Sequence, residues 1–380
     1  MTSFSFATTP SLLVEQGGTA KIGEIAAGLG CRRVAFVTDA NLVALGHTEA
    51  ARRSLATVGI DVWLFDRVAP DPPEAMVLDA VAGARAAGVD GVVSVGGGSC
   101  LDTAKMVAVL LGTDQPIGEM YGVGLVRGER LPLVVAPTTA GTGSEVTSIS
   151  ILTLARAEKM GVVAPQLFPD AAILDADLTV TLPAAVTAAT GIDAMVHAIE
   201  AYTSKIKKNP VSDCLAREAL RLLGGAIRRA CEAPEDRAAR GDMLLGSMLA
   251  GKAFANAPCA AVHALAYPLG GIFHIPHGHS NALVLPYVLD YNMGEAAGLY
   301  AEIAPIVFPD LTGDVAAGMI ERFRTLGGEL GMEDRMGPLG VTPDDIPRMA
   351  RDAMKQTRLL VNNPREMTEQ AAAAIYTQAL

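Results

Sequence analysis

The chain has 380 residues, half of them hydrophobic, and a formal net charge of −11. That length exceeds one ordinary core and predicts two domains, and the acidic balance, with no basic cluster interleaved with aromatics, excludes a nucleic-acid surface. No run approaches the roughly 20 apolar residues that span a bilayer, so a membrane protein is excluded as well.

The first residues, MTSFSFATTPSLLVEQG, lack the basic-then-apolar order of a signal peptide. Five scattered cysteines (Cys31, Cys100, Cys214, Cys231, Cys259) include no CxxC pair. They read as small core residues of a cytoplasmic protein rather than a zinc ribbon or a disulfide framework.

In chain order, CRRVAFVTD reads as a buried strand ending at Asp39, and NLVALGHTEAARRSLATVG as a helix, with His47 a helix-terminal surface residue. GIDVWLFD is a strand whose Trp63 and Phe65 pack on the sheet. PPEAMVLDAVAGARAAG is helical and GVDGVVSVGGGS is the next strand. LPLVVAPTT and AAILD add β-branched runs. Strands alternating with amphipathic helices predict an α/β domain over residues 1–180, its mostly parallel sheet covered on both faces.

Two loops in this half carry chemistry. VVSVGGGSCLDTAK places Gly96, Gly97, Gly98 and Ser99 between a strand and a helix start, where bare backbone and free N–H groups suit a diphosphate. Glycines also make plain turns, so this loop alone is weak. PTTAGTGSEVTS is a second one, with Thr138, Thr139, Thr142 and Thr147 offering hydroxyls to phosphate and ribose. Asp39 either accepts hydrogen bonds from an adenosine ribose, repelling a 2′-phosphate, or caps the next helix; both readings stand. No GxGxxG follows the first strand, so the ordinary dinucleotide fingerprint is missing.

After LTVTLP the texture changes to long helical patterns, and residues 181–380 are predicted to be all-helical. Pro183, Pro210 and Pro234 sit near helix starts. KIKK at 205–208 reads as a solvated patch, and the methionines of GDMLLGSMLAG as core. GIDAMVHAIE sets Asp193 and His197 four residues apart, on one helix face. AVHALAYPLGGIFHIPHGHSN then supplies His263 and His277. Four of the chain's six histidines lie in this stretch, and two of those four, His274 and His279, read as mouth or surface residues. One carboxylate and three imidazoles can hold a divalent transition metal and leave room for a substrate oxygen. An isolated DxxxH is more often a surface pair, so the weight lies on the combination.

GGGSCLDTAK, PTTAGTGSEVT, the lysine of AEKMGVVAP, TAATGIDAMVHAIEAY, VHALAYPLGG, PHGHSNALVLPYVLDYN and NNPRE together resemble the iron-containing (group III) alcohol dehydrogenase family, in order and spacing, over essentially the whole chain. The resemblance implies a dehydroquinate synthase-like fold: an α/β NAD-binding domain, an all-α metal-binding catalytic domain, and an active site in the cleft between them. It implies metal ligation by Asp193, His197, His263 and His277, with Fe(II) as the ion and Zn(II) also suited. It implies NAD contacts by Asp39, Gly97, Gly98, Ser99, Thr138, Thr139, Thr147 and Lys159, and it places Asp102 beside the cofactor. Tyr267 stands where many members carry a second histidine, a candidate for proton transfer. Asp71 replaces a common asparagine near the adenosine, adding a charge that disfavours a phosphorylated ribose. The implied activity interconverts a small alcohol and its aldehyde or ketone by hydride transfer. A homodimer or higher homo-oligomer is implied, with FSFATTP pairing to a second subunit's edge.

Four alternatives stay open on sequence. A tyrosine at 267 also occurs in the hydroxyacid–oxoacid transhydrogenase branch, and a maleylacetate reductase-like activity shares the pattern. Sugar-phosphate cyclases related to dehydroquinate synthase need Lys and Arg around an anionic substrate, and none lies between His263 and Asn281. A purely structural metal site fits poorly, because it needs no nucleotide-type loops.

Overall fold

The computed structural model describes residues 3–155 and 159–380. They form two compact units: an α/β unit of Ala7–Thr139 and Gly143–Val180, and a helical unit of Thr181–Leu380 that also takes in Ala140–Thr142 and the first few described residues.

In the α/β unit, six parallel strands lie in the order β1-β9-β6-β4-β2-β3. They are β1 (Ser11–Val14), β2 (Arg33–Val37), β3 (Asp61–Phe65), β4 (Gly91–Gly96), β6 (Leu133–Pro137) and β9 (Ala171–Leu174). Successive side chains on a strand point to opposite faces. Accordingly Val34 and Phe36 of β2 join one buried cluster with Ile22, Ala26 and Leu55. Ala35 and Val37 join another with Val77, Leu101 and Val107. Helices α1 (Ile22–Gly28) and α3 (Glu49–Thr57) thus cover one face, and α4 (Glu74–Ala87) and α5 (Gly98–Gly112) the other. A second sheet, β5-β8-β7, is built from β5 (Gly122–Val123), β7 (Ile149–Thr153) and β8 (Lys159–Val163), with β7 and β8 antiparallel.

One predicted helix divides in two. Residues 40–57 form α2 (Ala40–Ala44) and α3, because Gly46 takes a left-handed φ of 77° and closes α2. The Gly46 N–H to Val43 and His47 N–H to Leu42 bonds satisfy the last carbonyls. His47 therefore lies in a turn.

The helical unit is built round α6 (Ala184–Thr203), whose residues from Thr187 to Thr203 are buried except Thr190. Packed against it are α7 (Pro210–Glu232), α8 (Arg237–Asn256) and α10 (His277–Val307), while α9 (Ala261–Phe273) packs on α10. Asn209 caps α7 with Pro210 at its first position, and Asp236 caps α8. Then follow α11 (Val315–Glu329), α12 (Ile346–Met354), α13 (Thr357–Leu360) and α14 (Glu369–Ala379). The KIKK patch is only partly solvated, since Lys208 pairs with Asp213 and donates to the Tyr202 carbonyl. Among the described residues no helix is long and apolar enough to cross a membrane.

Where α10 begins, Gly278 has no room for a side chain. A Cβ there would lie 2.3 Å from the Ala189 carbonyl oxygen and 3.3 Å from the Asp193 Cβ. Backbone therefore meets backbone between the first turn of α10 and the middle of α6.

Candidate functional site

Asp193 and His197 project from one face of α6, as their spacing predicts. His263 sits in the first turn of α9. Its helix ends at His274, whose left-handed φ of 58° turns the chain, and α10 opens at His277. This turn brings His277 back to the others. His263 Nε2 and His277 Nε2 each lie 3.7 Å from Asp193 Oδ1, and His197 Nε2 lies 2.9 Å from His263 Nε2. Donors round a tetrahedral ion with bonds of about 2.1 Å are about 3.4 Å apart, inside that range.

Protonation decides whether the cluster fits a cation. His197 Nδ1 lies 3.2 Å from the Gly141 carbonyl, which can only accept, so the ring proton is on Nδ1. His263 Nδ1 donates at 2.6 Å to Glu200, whose other oxygen accepts the Val262 N–H at 2.7 Å. With both rings neutral, Nε2 of each is the bare lone pair, and the two face each other 2.9 Å apart. Without an ion, a proton on His263 bridges them, since against burial Cys259 and Glu200 hold that imidazole well above its usual range. Only a positive charge makes that arrangement favourable, and a metal ion supplies one. Burial above all holds the His197 imidazole down to about 3, so it is neutral. For Asp193 burial pulls the other way, but the imidazoles of His197, His277 and His263 outweigh it and hold the carboxyl below its usual range. The donor set fits a divalent metal.

Two residues here escaped the sequence reading. Glu200 lies three positions after His197 and looks like an ordinary helix carboxylate, yet it is 3% exposed and holds His263. Asn281, one turn after His277, donates to Asp193 Oδ1 at 2.6 Å and lies 3.3 Å from His277 Nε2. Around the cluster, Phe254 stacks on His197 with centroids 4.3 Å apart, and Tyr267, on α9, lies 6.0 Å from His277. His274 is exposed and His279 donates to the Glu333 carbonyl, so both stay outside the donor set.

The predicted nucleotide residues cluster in the α/β unit with one exception, Thr142, which groups with the helical unit. Strand β3 lies on one side of β2 and β4 on the other, so the order in which the parallel strands are added reverses between β2 and β4. Ligands of open parallel sheets bind outside the strand ends at such a point. Asp39 follows β2 there, and Gly97, Gly98 and Ser99 follow β4. The Thr138 N–H donates to the Gly96 carbonyl at 3.0 Å, joining the second loop to the first.

Several side chains in this unit have work within the protein. Asp39 caps α2 through the Leu42 N–H, and its other oxygen accepts from the buried Cys100 thiol. Asp102 accepts from Ser144 at 2.6 Å and from the Ile151 N–H at 2.9 Å, fastening the second loop to α5. Thr147 accepts from Lys105, a fully buried lysine that also donates to the Ile149 carbonyl. Burial brings the Lys105 amine down to about 8 and the neighbouring Glu145 carboxyl up to about 7. The charge expected of Asp71 is offset, because Lys159 pairs with it at 2.7 Å.

Comparison with known proteins places these features. The profile of the iron-containing alcohol dehydrogenases matches residues 9–176, and that of the C-terminal part of the Fe-containing alcohol dehydrogenase family matches residues 187–380. The chain is 40% identical over 362 residues to long-chain-alcohol dehydrogenase 1 of Geobacillus thermodenitrificans, covering 92% of this chain and 90% of that one. It is similar to the crystal structure of a 1,3-propanediol oxidoreductase, with a TM-score of 0.96, 35% identity and all of both chains covered. It is similar also to the NAD+ complex of sulfoacetaldehyde reductase from Bifidobacterium kashiwanohense, with a TM-score of 0.90, 30% identity, and 100% and 99% of the two chains covered. Matches over both halves identify an oxidoreductase of the alcohol dehydrogenase type, and the chain belongs to the iron-containing alcohol dehydrogenase family.

Proposed function

We propose that this enzyme interconverts a small neutral alcohol and its aldehyde or ketone with NAD(H), at a metal held by Asp193, His197, His263 and His277. The observation that carries this reading is the convergence of one buried carboxylate and three imidazoles. His263 and His277 Nε2 lie 3.7 Å from Asp193 Oδ1, and two Nε2 atoms lie 2.9 Å apart, a contact that calls for a positive charge between them. Fe(II) is the ion, in keeping with the family. When bound, it polarises the substrate oxygen as a Lewis acid, and NAD accepts the hydride. Glu200 and the Gly141 carbonyl fix two imidazole tautomers, and Asn281 holds the Asp193 carboxylate in line. The absence of Lys and Arg from His263 to Asn281 favours an uncharged substrate over a sugar phosphate. Primary alcohols and short diols, after the relatives' names, are the first to test.

A panel of these alcohols assayed with Fe(II)- and Zn(II)-loaded protein tests the reading directly. NAD reduction is expected with at least one of them, and no turnover with any alcohol or aldehyde would refute it. The same assay settles cofactor choice. With Asp71 paired to Lys159, repulsion of a 2′-phosphate falls on Asp39. Asp39→Ser is expected to raise kcat/KM for NADP about tenfold relative to NAD, whereas Asp71→Asn leaves the ratio near its original value. An unchanged ratio in Asp39→Ser would place that carboxylate away from the ribose.

Tyr267 is assigned the relay of the hydroxyl proton. Tyr267→Phe is expected to lower kcat about tenfold to a hundredfold, with metal content and NAD affinity retained. Tyr267→His restores part of the rate, because imidazole titrates nearer neutral pH. A Phe variant with the parent kcat and pH profile would mean that the ring only packs.

A further inference from the structure

Cys259 lies just before α9, outside the four residues assigned to the metal, yet its thiol hydrogen-bonds His263 and its sulfur is close to two of the imidazoles. The donor atoms of His197, Cys259 and His263 all lie within 4.8 Å of one another, and all three residues are buried. The segment carrying the thiol is held in place at both ends. Asn362 donates to the Cys259 carbonyl at 3.0 Å, and Glu200 accepts the Val262 N–H at 2.7 Å. The donor atoms of Asp193, His263 and His277 likewise lie within 4.8 Å of one another.

We propose that Cys259 completes a second, sulfur-bearing metal position that shares His197 and His263 with the Asp193 side and takes soft divalent cations such as Zn(II) and Cd(II). This rests on the reading that these imidazoles hold a metal. Because both positions use His263, one ion occupies one of them at a time. The two differ in character: Asp193 offers a hard carboxylate oxygen, while Cys259 offers a soft thiolate. Two imidazoles and a thiolate form a donor set suited to Zn(II). The thiol proton is released to solvent as the ion binds, and the ion gives up Asp193 and His277. The chain thereby holds Fe(II) and Mn(II) at the position that faces Asp193 and draws softer ions to one side.

The test uses the full-length protein with Cys214→Ser, which removes the exposed thiol. It is loaded with Mn(II) and titrated with Cd(II), following Mn(II) release by electron paramagnetic resonance and thiolate-to-cadmium absorption in the ultraviolet. The absorption is expected to rise in step with Mn(II) release. Adding Cys259→Ser or Cys259→Ala abolishes it and raises the Cd(II) needed for half-release about tenfold. Mn(II) loading of these variants reports that they fold. Mn(II) release without thiolate absorption, or absorption that survives in Cys259→Ser, overturns the second position and leaves the first intact. A parent protein that binds neither ion overturns both.

Discussion

His263→Ala is expected to empty the metal centre and to lower kcat/KM by more than about a thousandfold. His263 is the hub of the cluster. It touches His197, lies within 3.7 Å of Asp193, and is the ring that Glu200 orients. Its removal takes away one donor and leaves a buried carboxylate facing a void. The structural cost falls on that carboxylate, about 3–5 kcal/mol for a buried charge that loses a partner, which is below the stability of most ordinary domains. His277→Ala should have a similar effect on metal content at smaller structural cost, since His277 is half-buried. Elemental analysis together with circular dichroism checks both variants. Full metal occupancy in either would refute its role as a ligand.

Glu200 carries the second large effect, although it touches neither metal nor substrate. Its two oxygens receive the His263 Nδ1–H and the Val262 N–H. Ala at this position frees the His263 ring to take the other tautomer, which puts a proton on the atom that should bind the ion. Metal affinity is expected to fall about 10–100-fold. Gln is the sharper variant, because one of its two terminal atoms is a donor. It can satisfy His263 or Val262, and whichever it fails then faces an N–H with an N–H. Glu200→Gln should therefore resemble Glu200→Ala in metal affinity rather than the parent. Titration with Fe(II) or Co(II) measures this, and a Gln variant with parental affinity would show that the carboxylate does not set the tautomer.

Much of the architecture could be read from the chain for a simple reason. A parallel sheet covered on both faces leaves runs such as VVSV and LVVA, which alternate only between two apolar environments. The Asp193 and His197 pair was legible because helical spacing alone puts both on one face. His263 and His277 are fourteen positions apart, and no periodicity joins them. Their approach depends on the left-handed turn at His274, so only clustering and family resemblance pointed to it.

The residues that hold the cluster in shape left no such trace. Glu200 sits in a helix where a carboxylate is unremarkable by composition, and Asn281 sits in one where an amide is. Each gains its role from a partner 63 or 88 positions away. Lys105 was hidden in another way, since a lysine near a helix start reads as solvated until the strand that buries it is known. The ion pair of Asp71 and Lys159 spans 88 positions and cancels a charge that, taken alone, looked free.

The contact at Gly278 bears on how such an enzyme can be altered. Because main chain meets main chain there, the gap between α6 and α10 does not depend on rotamers or on the volume of any side chain. Core residues elsewhere in the bundle can be exchanged, and the rings of Tyr267 and Phe254 replaced, while Asp193 and His277 keep their separation. The freedom to change substrate is thus separated mechanically from the dimension that a metal requires. The same arrangement makes position 278 intolerant of even one added methyl group, so variation at that seam is confined to a residue with no side chain.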